Sequence, residues 1–151
     1  MKKNILYTIV IGLISFLIWS CNSTSKAISI SDKEKTAFTQ TKGDTITISS
    51  DKTEYEITII ESGYNFWLQS TAKAKGYYSQ SYMENRNQIY VAEWNRRVLQ
   101  PQVYDSNLYE LQIDYQAHID YGYDVNYKLY NYFIYFQRKY NQRLGAFLPR
   151  I

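Results

Sequence analysis

The chain has 151 residues, a formal charge of +3, one cysteine, one histidine and 17 tyrosines. Lys2 and Lys3 carry two of the positive charges at the extreme N-terminus, and from Thr53 onward acidic and basic residues balance. That balance excludes the concentrated basic excess of a nucleic-acid binder. A single cysteine excludes an internal disulfide and a thiolate metal site.

The first element is a secretion signal over residues 1–20. Lys2 and Lys3 precede an apolar run from Ile5 to Trp19. At about 15 residues it is too short to span a bilayer comfortably and suits the core of a signal peptide. Small Ser20 then precedes Cys21, and the chain turns polar at once with Asn22-Ser23-Thr24-Ser25. Ile18-Trp19-Ser20-Cys21 resembles the lipobox of bacterial lipoproteins, with Trp19 bulkier than usual there. The resemblance implies a diacylglyceryl group on the Cys21 thiol, cleavage before Cys21 and acylation of the new amino terminus. Several acyl chains anchor durably, because each buried methylene contributes ~0.8 kcal/mol. Asn22 stands where aspartate favours inner-membrane retention in well-studied lipoproteins, so the expected place is the outer membrane, facing the periplasm.

Residues 21–42 are rich in Ser, Thr and Lys. So little apolar surface does not offset the entropy of ordering, and the expectation is a flexible lipidated tether. A single domain is expected over residues 43–151. Thr45-Ile46-Thr47-Ile48-Ser49 alternates polar and apolar, as a half-buried strand does. Glu54 to Ile60 is a second strand, and the turn-like Ser50-Asp51-Lys52 makes the pair a hairpin. Tyr64-Asn65-Phe66-Trp67-Leu68 opens a short helix reaching Ala74, with Ser62 as its N-cap and Gly76 beyond its end.

Tyr78, Tyr82, Arg86, Tyr90, Trp94 and Val98 recur every four residues, one stripe of a helix from Ser79 to Leu99. Glu93 lies between Arg86 and Arg97 on this face. It forms either a surface pair with Arg97 or a partly buried polar cluster beside Tyr82 and Trp94. Pro101 ends the helix. Tyr109, Leu111, Ile113 and Tyr115 alternate with Glu110, Gln112 and Asp114, which reads as a third strand. The last helix runs from Asp124 to Leu144. Its apolar face holds Leu129, Phe133 and Phe136, with Asn131, Tyr135, Arg138 and Gln142 opposite and Gly145 as the stop. Phe147, Leu148 and Ile151 fold back as an apolar tail.

The expected fold class is therefore α+β: a small three-stranded antiparallel sheet with about three helices packed on it. No motif points to catalysis. His118 lacks identifiable triad partners. His118, Asp120 and Asp124 in one loop offer few ligands for a metal. No glycine-rich phosphate loop is present. The reading is not an enzyme, with no cofactor, no metal and no catalytic residue. The candidate binding residues are Tyr77, Tyr78, Arg86, Trp94, Arg97, Tyr121 and Tyr123. Tyrosine and arginine are over-represented at protein interfaces, and tyrosine rings also stack on sugars.

Four strings carry a wider resemblance. They are Gly76-Tyr77-Tyr78-Ser79-Gln80-Ser81-Tyr82, Tyr90-Val91-Ala92-Glu93-Trp94-Asn95-Arg96-Arg97, Ile119-Asp120-Tyr121-Gly122-Tyr123 and Asn126-Tyr127-Lys128-Leu129-Tyr130-Asn131-Tyr132-Phe133. From Tyr55 to Arg150 the chain resembles a family of small Bacteroidota lipoproteins of unknown function. The resemblance implies an anchored envelope protein and brings no activity, cofactor or substrate. The expected function is a non-catalytic envelope lipoprotein. It is held at the membrane by lipid and binds a protein partner or supports an envelope complex. The alternative is a glycan- or peptidoglycan-binding module that uses the clustered tyrosines.

Overall fold

The computed structural model describes residues 28–40, 45–49 and 55–151. The signal, Cys21 and the turns at Gly43-Asp44 and Ser50-Asp51-Lys52 lie outside them. Among the described residues the order is α1 (Asp32–Phe38), β1 (Thr45–Ser49), β2 (Glu56–Ile60), α2 (Tyr64–Ser70), α3 (Gln80–Val98) and α4 (Gly122–Lys139).

Helix α1 corrects the expectation of an unbroken tether. Its start is a capping box: the Ser31 hydroxyl accepts from the Glu34 N–H, and the Glu34 carboxylate accepts from the Ser31 N–H at 2.9 Å. Two backbone donors are thereby satisfied without tertiary help. The helix then docks through Glu34 and Ala37, both fully buried. Glu34 finds its charge partner, Arg138, 104 residues away, which no local pattern could display.

The hairpin forms as expected, with Ile48 opposite Ile57 and Ile46 opposite Ile59. Ile48 and Ile59 are buried, while Glu56, Thr58 and Ile60 are exposed. The sheet has two strands rather than three. Residues 108–115 remain irregular because α3 side chains take their backbone groups. The Trp94 indole donates to the Leu111 carbonyl at 2.9 Å, and Asn95 bonds the Ile113 carbonyl and N–H at 2.9 and 2.8 Å.

Helix α2 starts from Gly63, not Ser62, and stops at Ser70 rather than Ala74. Gly63 has φ +81°, and a Cβ there would meet the Ala37 carbonyl oxygen at 1.9 Å. Only glycine lets α1 approach so closely. The Ser62 carbonyl instead accepts from the Tyr135 hydroxyl at 2.6 Å.

Helix α3 matches the periodic stripe within a residue at each end. Helix α4 begins at Gly122 and ends at Lys139, short of Leu144, with Asn141 at φ 49° making the exit that Gly145 was expected to provide. Its polar residues are not on a solvent face. Asn131, Tyr135 and Arg138 are all buried, so α4 is enclosed along most of its length and organises the core. Asn131 and Gln137 return their amide donors to carbonyls one turn back, Tyr127 at 2.8 Å and Phe133 at 3.0 Å. A buried amide is tolerated only when bonded in this way. Around α4 lie α3 on one side, α1 and α2 on another, and the sheet on a third.

Candidate functional site

Two surfaces are not explained by the needs of the core. The first is a ladder of aromatic rings and cations at the N-terminal end of α3, where Tyr78 and Tyr82 rest edge-on against buried Tyr130 of α4 at 5.3 and 6.0 Å. The Lys73 ammonium lies 5.2 Å from the Tyr77 ring centre. Tyr77 meets Tyr78 edge-on at 4.7 Å, and Tyr78 stacks on Tyr82 at 4.8 Å. The Arg86 guanidinium covers Tyr82 at 5.1 Å and Phe147 of the C-terminal tail at 3.1 Å. Tyr78, Tyr82 and Arg86 are four apart, which stacks them on one helical face. Tyr77 is 63% exposed, and Tyr82 and Phe147 are also on the surface. Cation–ring contacts at exposed sites contribute about 0.5–1 kcal/mol each, which holds the ladder in one shape without burying it.

The structure thus brings together Tyr77, Tyr78 and Arg86 of the expected binding residues. The other four lie away from this ladder or beneath it, in contacts within the fold. Trp94 is buried and packs edge-on against Tyr109 at 5.0 Å and Phe136 at 4.8 Å. Arg97 is buried too, bonding the Tyr109 hydroxyl at 2.6 Å, Gln142 at 3.2 Å and the Arg143 carbonyl. Tyr121 stacks on Tyr115 at 4.9 Å, and its hydroxyl accepts from the Gln116 N–H at 3.0 Å. The Tyr123 hydroxyl accepts from the Gly76 N–H at 2.6 Å and donates to the Tyr78 carbonyl at 3.2 Å, fixing the turn that presents Tyr77.

Glu93 forms a partly buried cluster with the expected Arg97, and with Arg96 in place of Arg86. It pairs with Arg96 and Arg97, each at 2.7 Å, while Arg86 turns away to Phe147. Hydrogen bonding from Arg96, then from Arg97, outweighs partial burial and holds the Glu93 carboxyl down to about 2. His118 is exposed, Asp120 accepts from Gln80 at 2.8 Å, and Asp124 is paired with Lys75 at 2.8 Å.

The second surface is a groove of about 650 Å³ between β2 and residues 107–114, within the ~300–1,000 Å³ typical of binding clefts. Its floor is one stripe of α4, Leu129, Tyr132, Phe136 and Tyr140, with Trp94 beside it. Its rim carries Glu56, Glu110 and Asp114, and no lysine or arginine lines it among the described residues. Glu61, at one end, is already paired with Lys139 at 2.6 Å and accepts from the Tyr140 hydroxyl at 3.0 Å. Burial, followed by the negative charge of Glu61, pushes the Tyr140 hydroxyl up to about 12. Burial pushes Tyr132 up as well, with Glu61 and Glu110 adding to it. The Tyr55 hydroxyl is buried near the opposite end with no partner among the described residues.

The sequence displayed part of the ladder, because Tyr78, Tyr82 and Arg86 keep helical spacing. Phe147 carried no local signal, since the fold back of the tail sets its place. The groove was hidden by the alternation at 108–115, which suggested that this segment closes the sheet.

The architecture defines a mixed α+β domain, with four helices and a two-stranded antiparallel sheet among the described residues. The chain belongs to a family of unknown function, DUF6146, whose model matches residues 8–148. No curated protein and no solved structure matches it.

Proposed function

We propose that the protein is a lipid-anchored bacterial envelope lipoprotein, of the Bacteroidota kind, whose folded domain binds a protein partner without catalysis. Anchoring rests on the sequence: a short apolar run bounded by Lys2-Lys3 and ending at Ser20-Cys21. Asn22 after the cysteine, in place of an aspartate, favours the outer membrane, facing the periplasm. Binding rests on one observation, the exposed ladder from Tyr77 to Phe147. Tyrosine and arginine dominate the energetics of protein interfaces. Here they are held rigid by mutual stacking, so little side-chain entropy remains to be lost on binding.

The test is a mild-detergent purification of the full lipidated protein, tagged after Ile151, beside its Tyr77→Ala and Arg86→Ala variants. The reading expects a near-stoichiometric partner on the native protein, lost from the variants. A clean preparation of the protein alone that binds peptidoglycan fragments would assign the tyrosines to sugar stacking and end the protein-partner reading. Cys21→Ala is expected to leave the membrane fraction or accumulate as precursor. A processed Cys21→Ala protein still sedimenting with outer membranes contradicts the anchor.

A further inference from the structure

The groove between β2 and residues 107–114 combines three features that packing does not require. Ile60 on one wall and Leu111 on the other are the two most exposed large apolar side chains among the described residues, at 74% and 77%. Exposed apolar side chains scattered singly are ordinary, but two on the walls of one cleft mark a surface to be covered.

Backbone is the second feature. Strand β2 pairs with β1 along one edge, and no strand among the described residues covers the other. Across the cleft, Leu111 and Ile113 direct backbone groups to Trp94 and Asn95 of α3. A free strand edge is a template for another strand.

Charge is the third. Glu56, Glu110 and Asp114 rim the groove, and none is ion-paired with a described residue. Carboxylates facing one cleft select a cationic occupant and repel an anionic one.

We propose that this groove captures an extended polypeptide segment of alternating apolar and basic residues, added as a strand along the free edge of β2. Period-two alternation directs one set of side chains onto the partly exposed Tyr132 and Tyr140 and the other toward the rim. Main-chain bonds to the edge supply affinity and the alternate pockets supply specificity, as in other strand-addition complexes. The inference rests on the partner-binding reading but uses a surface separate from the aromatic ladder.

The probe is a fluorescent peptide of about eight residues, the length of a strand, alternating lysine and valine. It is titrated against the full lipidated protein in neutral detergent, with anisotropy as the readout. Saturable binding is expected. It should weaken about tenfold or more when glutamate replaces lysine and vanish when alternate amides on the edge-facing side are N-methylated. Leu111→Asp and Glu110→Lys should each weaken it about tenfold with unchanged circular dichroism, and Tyr77→Ala should leave it unaltered. Equal binding of the acidic peptide, indifference to N-methylation, or no binding at all overturns the proposal. So does a concentration-dependent dimer that Ile60→Asp abolishes, which would give the edge to a second copy. If the peptide fails while an Arg86-dependent partner still co-purifies, only the groove assignment falls. If both fail, the partner-binding reading falls with it.

Discussion

Helix α4 has a sealed side and an open side, and they treat charge in opposite ways. On the sealed side Arg138 ties α4 to the N-terminal segment and to the C-terminal tail. It pairs with Glu34 of α1, with Nη2 at 2.7 Å from Oε2, and donates to the Ser29 carbonyl at 2.6 Å and the Pro149 carbonyl at 2.8 Å. The Trp67 indole completes the set by donating to Glu34 at 3.4 Å. Every charge there is buried and paired, and a bidentate arginine suits such a site better than lysine. On the open side the partly exposed Tyr132 and Tyr140 line a groove whose rim carboxylates Glu56, Glu110 and Asp114 lack ion-pair partners among the described residues. Burial with full pairing gives mechanical closure. Carboxylates left unpaired beside exposed apolar walls give a surface that another chain can complete.

The contrast is broken most severely by removing one member of the buried pair. Glu34→Gln leaves the Arg138 charge buried without its counter-ion, and losing one partner of such a pair costs about 3–5 kcal/mol. Urea unfolding of the variant should show that loss and an earlier release of the C-terminal tail. The same pair sets the acid response. Burial pushes the Glu34 carboxyl up, but the bonds from Arg138 and Ser31 outweigh it and hold the group below its ordinary 4.5. The unfolded chain therefore takes up this proton first as pH falls. The stabilisation is full above about 4.5 and is lost as pH drops through the lower folded value. Glu34→Gln should flatten that part of the stability–pH curve.

Gly63→Ala comes next. It places a Cβ on the Ala37 carbonyl and a side chain at positive φ. The backbone conformation alone costs about 1–3 kcal/mol, and the clash should also lift α1 from α2. Thermal unfolding measures the first effect, and proteolysis within residues 32–38 the second.

Two tyrosines sharpen the comparison at smaller scale. The Tyr64 hydroxyl donates to the Lys128 carbonyl at 2.6 Å in the interior, beside that carbonyl's helical bond; Tyr64→Phe should therefore cost about 0.5–1.5 kcal/mol, the net worth of one hydrogen bond. The Tyr55 hydroxyl, buried near the groove with no partner among the described residues, gives none of these up, so Tyr55→Phe should be neutral or stabilising in the same urea assay. Smallest of all, Leu111→Asp on the groove wall should change stability by no more than about 0.5 kcal/mol. A loss comparable to that of Glu34→Gln would mean the groove is core rather than surface.

How much of this was legible in the sequence follows from the range of the interactions. The hairpin and α3 rest on periodicities of two and about four residues, which local sequence displays. Helix α1 was half legible: Ser31 and Glu34 form a capping box, but the burial of Glu34 depends on Arg138. Residues 108–115 have the alternation of a strand yet lack a ladder, because Trp94 and Asn95 compete for their backbone groups. Helix α4 carries polar residues whose partners are distant or one turn back, so its polar positions looked like a solvent face. The ladder was legible where it follows one helix and not where Phe147 joins from the tail.

The contrast between the two sides of α4 is tested most directly by native-state hydrogen exchange read residue by residue. The amides of α4 and of the docked part of α1 should exchange only on global unfolding, the slowest class. Those of residues 110–114 not bonded to α3, and alternate amides of β2, should exchange orders of magnitude faster. If residues 110–114 and all of β2 are instead protected as strongly as α4, a third strand closes the sheet and there is no open side.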